Sequence, residues 1–182
     1  MDNGESSYRR YLKGDEEAFQ EIVKLYFDGL MLFVNGYVKN LETAEDITID
    51  VFAYLVAHKQ RFRFGHSLKT YLFTMGRSRA LDHLKRGKKL QFTELSPGLP
   101  VADPQPGPEE RLIAEEEKRL LHGAMHKLPE EQRQVLHLVY FETMSCEEAA
   151  KVLKKNRKQV YNLLYRGKEA LRTILTKEVV IL

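Results

Sequence analysis

The chain has 182 residues, of which 43% are hydrophobic and 30% are charged, so it can form one large or two small packed domains and is unlike a disordered protein. Its longest uninterrupted apolar run, residues 30–34, is far shorter than the roughly 20 residues that a membrane-spanning helix needs. The single cysteine, Cys146, excludes an intramolecular disulfide framework. We therefore expect a cytoplasmic protein that does not insert into a membrane.

Charge is segregated along the chain, although the net charge is only +3. Residues 1–65 carry a net charge of −3 and residues 66–89 carry +6, after which residues 90–150 carry −7 and residues 151–172 carry +7. Clustered lysine and arginine bind polyanions by releasing counterions from phosphates, so the two basic segments predict two contacts with a nucleic acid. The alternative is that each segment is only the solvated face of a helix.

A proline-rich segment separates the two basic segments. Five of the six prolines lie within twelve residues, at positions 97, 100, 104, 106 and 108. This composition predicts a flexible, extended linker at residues 90–108 between domains at residues 1–89 and 109–182. About 20 extended residues can reach roughly 65 Å, close to two turns of B-DNA, so two tethered modules could bind sites that far apart.

The first domain is predicted to contain three helices and no strand. Asp15 is the N-cap of the first helix, whose apolar residues recur at helical spacing over residues 19–38. The second helix is expected at residues 43–62, where a capping-box-like pattern begins it. The third is expected at residues 67–85, after a loop at residues 61–66.

The second domain is predicted to contain a helix-turn-helix. Earlier helices are expected to begin at Pro108 and at Leu128-Pro129. Two capping patterns follow, Ser145 with Glu148 and Asn156 with Gln159, and they leave only a short turn between two helices. The predicted fold is therefore all-α, with two small helical domains joined by a flexible proline-rich linker.

Six short segments stand in a fixed order around the linker. They are GDEEAF at residues 14–19, AEDITIDVF at 44–52, residues 67–86 with YLF and RALDHLKR, LPEEQRQVL at 128–136 followed by YFE, SCEEAA at 145–150, and YRGKEAL at 165–171. Together they resemble the extracytoplasmic-function (ECF) sigma factors, which are promoter-specificity subunits of bacterial RNA polymerase. The resemblance covers nearly the whole chain.

The resemblance implies that the second helix binds core RNA polymerase, through a coiled coil of the largest polymerase subunit. The residues at the corresponding positions are Asp46, Ile49 and Asp50. The family usually has glutamine where this chain has Ile49. The alternative is that the two carboxylates are merely solvated near a helix amino terminus.

The resemblance also implies that the loop and the third helix read and melt the −10 element of promoter DNA. The residues assigned to this surface are Arg61, Arg63, Phe64, Tyr71, Arg77, Arg79, His83, Lys85 and Arg86. Aromatic and arginine side chains stabilise unpaired bases by stacking, by about 1–3 kcal/mol per base. Phe62 is expected to be the last core residue of its helix, whereas Tyr71 either packs in the core or takes part in melting.

The last helix is implied to bind the −35 element in the major groove. Its assigned residues are Arg157, Lys158, Tyr161, Asn162, Tyr165 and Arg166. Lys154 stands in the turn where the family often has glycine. An anti-sigma factor is a further partner that the resemblance implies.

Two other classes of function compete with this interpretation. A metal enzyme is suggested by His122 and His126, which lie one helical turn apart, but no third ligand is evident, so we expect no metal, no cofactor and no catalytic activity. A helix-turn-helix regulator that acts without polymerase explains the second basic segment and leaves the first unexplained.

Overall fold

A computed structural model of the protein describes residues 4–64, 67–91 and 120–179, with side chains at all of these except residues 88–91 and 178–179. Every regular element in these ranges is a helix, so the predicted all-α class is confirmed. The elements are α1 (Glu5–Leu12), α2 (Glu16–Val38), α3 (Leu41–Ala57), α4 (Leu68–Gln91), α5 (residues 120–127), α6 (Glu130–Leu136), a π-helical turn (His137–Phe141), α7 (Cys146–Leu153) and α8 (Arg157–Val179). Residues 92–108 of the predicted linker and the start of the helix predicted at Pro108 lie outside the described residues.

Side-chain caps begin the helices at four of the predicted positions. Asp15 Oδ1 accepts a hydrogen bond from the Ala18 amide at 3.2 Å, and Ser67 Oγ accepts one from the Thr70 amide at 3.1 Å. Ser145 with Glu148 and Asn156 with Gln159 form reciprocal caps at the starts of α7 and α8. These bonds satisfy amides that have no partner within their own helix.

Three helix boundaries differ from the predictions. The helix α3 begins at Leu41 and not at Thr43, because Asn40 is the N-cap and accepts the Thr43 amide at 2.7 Å. It ends at Ala57, so Phe62 lies in the following loop, and α4 continues to Gln91. Helix α1 was not predicted, because its eight residues are too few to show a clear apolar period.

The N-terminal half is built around α2, which α1, α3 and α4 all contact. Its inward residues are fully buried at helical spacing and include Ile22, Leu30 and Phe33. Phe73 of α4 packs with its ring centroid 5.3 Å from that of Phe33. The apolar period seen in the sequence therefore corresponds to the core face of α2.

The C-terminal half packs directly against α2, at a contact that we call the joint. Three side chains of α6 and the π-helical turn donate hydrogen bonds to a row of backbone carbonyls on α2. Arg133 bonds to Gly36 at 3.0 Å, Gln134 to Phe33 at 3.5 Å and His137 to Gly29 at 3.1 Å. Helix α7 also packs on α4. The sequence predicts two modules on an extended tether, whereas the described halves share one hydrophobic core.

Two glycines of α2 allow this close approach. A Cβ atom at Gly29 would lie 2.1 Å from Glu142 Oε1, and one at Gly36 would lie 2.5 Å from Gln134 Nε2. Both distances are shorter than any normal contact, so a side chain at either position must push the C-terminal half away or displace its buried polar groups.

We expect the double variant Gly29→Ala and Gly36→Ala to weaken the joint without unfolding either half. Small-angle scattering should show a larger radius of gyration, while circular dichroism keeps the helical content of the parent. Gly123→Ala is the matched control, because a Cβ atom there meets nothing within 4 Å. An unchanged radius in the double variant would contradict the close-approach argument.

Candidate nucleic-acid interface

The residues predicted to contact core polymerase share one exposed face of α3. Asp46, Ile49 and Asp50 are all exposed, because Ile47 and Val51 turn the opposite side of the helix into the core. Ile49 is 50% exposed, although it is apolar and β-branched. The face therefore presents two carboxylates beside one uncovered aliphatic side chain.

An ion pair joins this face to α4. Arg79 Nη1 lies 3.3 Å from Asp50 Oδ2, and the Arg79 guanidinium lies 5.4 Å from the ring centroid of Tyr54. Arg61, in the loop before α4, donates a hydrogen bond to the Tyr54 hydroxyl. Sequence reasoning missed Tyr54, and its spacing of four residues from Asp50 is the signal that could have placed it on this face.

Most residues of the predicted −10 surface are exposed. The exposed residues are Arg61, Arg63, Phe64, His83, Lys85 and Arg86, and the half-buried ones are Tyr71, Arg77 and Arg79. Helical spacing brings Arg79, His83 and Arg86 to one side of α4. Arg77, two residues before Arg79, lies on another side of α4 and interacts with Tyr37 of α2.

Phe62 and Phe64 of the loop pack against Tyr8 of α1, and Tyr71 packs against Phe62. Phe62 is only 5% exposed, which confirms it as a core residue. The Tyr71 ring lies 5.4 Å from that of Phe62, and burial raises the pKa of its hydroxyl. Phe64 is 37% exposed, and the guanidinium of Arg9 lies 3.9 Å from its ring centroid. The predicted loop also contains residues 65–66, which lie outside the described residues.

The helix-turn-helix is formed by α7, a three-residue turn and α8. Lys154 begins the turn with φ 54° and ψ 44°, the left-handed conformation that glycine adopts most easily. The Lys155 amide closes the turn by donating to the Ala150 carbonyl at 3.0 Å. The turn therefore forms with lysine at the position where a glycine is common.

The residues predicted to bind the −35 element are all exposed on the first turns of α8. They are Arg157, Lys158, Tyr161, Asn162, Tyr165 and Arg166. Val160 and Gly167 are buried on the opposite side, where the helix packs against α6. Arg157 is held in place by Glu147, whose Oε1 lies 2.9 Å from Nε, and by the Tyr161 hydroxyl at 3.2 Å.

The first turn of α4 contacts carboxylates of the C-terminal half. Lys69 Nζ lies 3.4 Å from Glu142 Oε2, and Ser67 Oγ donates to Glu148 Oε1 at 3.0 Å. Burial alone would raise the pKa of Glu142, but hydrogen bonds and positive charge from His137 and Lys69 outweigh it and hold the pKa below its ordinary value of 4.5. The joint therefore depends on an ionised, largely buried carboxylate.

The described part of the chain has neither a metal-binding cluster nor a membrane-spanning helix. His122 and His126 are both exposed, and no three His, Cys, Asp or Glu side chains in the described part of the chain are grouped so that they could hold a metal ion. Among residues 4–64, 67–91 and 120–179, no helix has the length and apolar character needed to cross a membrane.

Two family models match the two halves of the chain. Sigma-70 region 2 matches residues 22–90, which include α3 and α4, and Sigma-70 region 4 matches residues 118–171, which include the helix-turn-helix. Together the two matches span more than half of the chain. The protein belongs to the sigma-70 family and is an ECF sigma factor.

Curated relatives extend the match over both halves of this sigma factor. It is 26% identical over 162 residues to the RNA polymerase sigma factor YlaC of Bacillus subtilis, with 88% of this chain and 94% of the relative covered. It is 27% identical over 169 residues to the ECF RNA polymerase sigma factor SigW of the same organism, with 88% and 90% covered.

Solved structures share the fold of this sigma factor. The sigma factor RpoE of Bartonella quintana, in complex with the anti-sigma factor NepR, matches with a TM-score of 0.68 at 22% identity, over 87% of this chain and 96% of that chain. CnrH, in complex with the cytosolic domain of CnrY, matches with a TM-score of 0.64 at 19% identity, over 97% and 99%.

We expect this sigma factor to lose stability on acidification through Glu142. Because the folded pKa is depressed, the carboxylate stabilises the joint above pH 4.5, and this contribution is lost as the pH falls through the folded pKa. Urea unfolding measured over that pH range should show that the free energy of unfolding falls less steeply with decreasing pH for Glu142→Gln than for the parent. Glu17→Gln, which removes an exposed carboxyl from α2, is the control and should follow the parent. Identical declines in the parent and Glu142→Gln would contradict the assignment.

Proposed function

We propose that this sigma factor binds core RNA polymerase through the exposed face of α3, reads and melts the −10 element with α4 and the preceding loop, and binds the −35 element with α8. The observation that carries the proposal is the row of exposed basic, aromatic and amide side chains on the first turns of α8, behind a fully capped helix-turn-helix. The two family matches support the same division of labour between the halves.

Core binding is assigned to Asp46, Ile49 and Asp50. The carboxylates pair with basic side chains on a coiled coil of the largest polymerase subunit, and Ile49 adds an apolar contact in place of the hydrogen bonds of an amide. Polymerase competes with Arg79 for Asp50. Breaking the Arg79–Asp50 pair costs little, because both side chains are partly solvated.

Promoter melting is assigned to the loop and α4. Exposed cations on both, among them Arg63 and Arg86, hold the DNA backbone, while aromatic side chains stabilise unpaired bases by stacking. Tyr71 is half-buried against Phe62, so it stabilises the loop by packing in addition to any contact that it makes with DNA.

Binding at −35 is assigned to α8 in the major groove. Arg157, Lys158, Tyr161 and Asn162 face base edges, and Arg166 contacts phosphate. Glu147 and Tyr161 restrict the Arg157 side chain before DNA arrives, which lowers the conformational entropy that it loses on binding.

The two DNA contacts are assigned to domains at residues 1–89 and 109–182, joined by the linker at residues 90–108. The proposed −10 and −35 contacts lie on α4 and α8, and α7, which precedes α8, packs directly on α4, whereas the promoter elements are about two helical turns apart. We therefore infer that the joint opens when both promoter elements are bound, and that the linker then spans them.

The protein acts in the cytoplasm, where polymerase and promoter DNA are found, and has no catalytic activity of its own. Because a solved relative is in complex with an anti-sigma factor, we propose a partner of that class here as well.

Run-off transcription with bacterial core polymerase on genomic fragments tests the proposed function. We expect specific starts that share two upstream motifs about two helical turns apart. Asp46→Asn should lower the yield of these starts and keep binding to isolated −35 DNA, since Asp46 lies on the proposed core-binding face and forms no ion pair among the described residues. Glu17→Gln, on α2, is the control and should transcribe normally. DNA binding with no transcript from the parent would favour a helix-turn-helix regulator instead.

We expect Arg157→Ala to weaken −35 binding by roughly 1–3 kcal/mol and to relax the preference at one base pair. Binding to a set of single-base variants of the −35 motif measures both effects. Arg172→Ala, which removes an exposed arginine farther along α8, should keep the sequence preference of the parent. Uniform weakening on every sequence would make Arg157 a phosphate contact.

A further inference from the structure

Helix α1 is packed firmly against the loop that precedes α4, although it lies outside the segment matched by the region 2 model. Tyr8 is fully buried, and its ring meets that of Phe62 edge to face at 5.4 Å. The Tyr8 hydroxyl also donates to the Lys59 carbonyl at 2.7 Å. These contacts fix the position of α1 relative to the loop.

The residue after Tyr8 contributes a cation to the same surface. The guanidinium carbon of Arg9 lies 3.9 Å from the ring centroid of Phe64, well within the range of a cation–π interaction. Arg9 is exposed, and no carboxylate among the described residues pairs with it. The adjacent Arg10 differs, because Asp15 and Glu21 hold it at 2.8 and 3.0 Å.

This arrangement suits an unpaired base. Guanidinium planes stack on nucleobases, and their edges carry N–H donors for phosphate. A base does not fit between Arg9 and Phe64, because two stacked contacts need about 7 Å and only 3.9 Å separates the groups. The outer side of the guanidinium is the side that faces solvent.

We propose that Arg9 is a further promoter contact of this sigma factor: its guanidinium, seated on Phe64, stacks on an unpaired base of the melted −10 strand. Phe64 then acts as the support of the stacking plane and α1 as part of the −10 surface. This inference rests on the proposed function, since it assumes that the loop meets melted DNA.

Holoenzyme binding to a fluorescent single-stranded oligonucleotide that carries the non-template −10 sequence tests the proposal. We expect Arg9→Ala to lower the affinity about 5- to 100-fold. Arg9→Lys keeps the charge but not the plane, so it should lose most of the same affinity. Lys13→Ala is the matched control, because it removes an exposed cation near the end of α1 and should bind like the parent. The affinity of each variant for duplex −35 DNA and its thermal unfolding temperature show whether the variant is folded.

Any of four results would overturn the inference. Parental or tighter binding by Arg9→Ala would make Arg9 a cover on Phe64 and not a contact, and parental binding by Arg9→Lys would leave only a charge effect. If Phe64→Ala lost binding while Arg9→Ala bound like the parent, Arg9 would be excluded as a DNA contact and the proposed function would stay intact. Parental binding by both Arg9→Ala and Phe64→Ala would overturn the −10 assignment of the loop together with this inference.

Discussion

The close approach of α2 to the C-terminal half is the constraint on which the rest of the structure depends. Only hydrogen atoms at Gly29 and Gly36 leave room for Glu142 and Gln134 to lie against the α2 backbone. Arg133 then becomes buried and donates to carbonyls of both halves, which offsets part of the cost of burying its charge, although its Nε has no hydrogen-bond partner. The same approach places Glu142 beside Lys69 and α7 against α4.

The charges of the proposed DNA surfaces are partly balanced within the free protein. Asp50 faces Arg79 and Glu147 faces Arg157, both in pairs that solvent reaches. Exposed pairs contribute about 0–1 kcal/mol. On the proposed function, a basic polymerase side chain therefore replaces Arg79 beside Asp50 at little cost, and a phosphate replaces Glu147 beside Arg157. The Lys69–Glu142 pair is more enclosed. Breaking it leaves a charge with little access to solvent, so this pair is more costly to break than the exposed ones. The exposed pairs can therefore exchange partners easily, whereas the enclosed pair holds the two halves together.

Much of the fold could be predicted because the signals were local. The caps at Asp15, Ser67 and Ser145 are short-range patterns, and the apolar period of α2 corresponds to its buried face. The joint was not predictable, because its side chains come from α6 and its acceptors are backbone carbonyls of α2, which carry no residue identity. The candidate surfaces were located by resemblance and by charge, whereas the contact of Arg9 with Phe64 depends on the packing of a helix too short to show a pattern.

On the proposal that the joint opens when the promoter is bound, the joint also sets how tightly the protein binds its partners. Because it is formed within one chain, it does not weaken on dilution. A partner that binds only the opened form has its apparent dissociation constant raised by the inverse of the opened fraction. If one molecule in about a hundred is open, promoter affinity falls about a hundredfold without a change in any DNA contact. Substitutions at Gly29 or Gly36, far from DNA, would then tune promoter occupancy by changing the population that is able to bind.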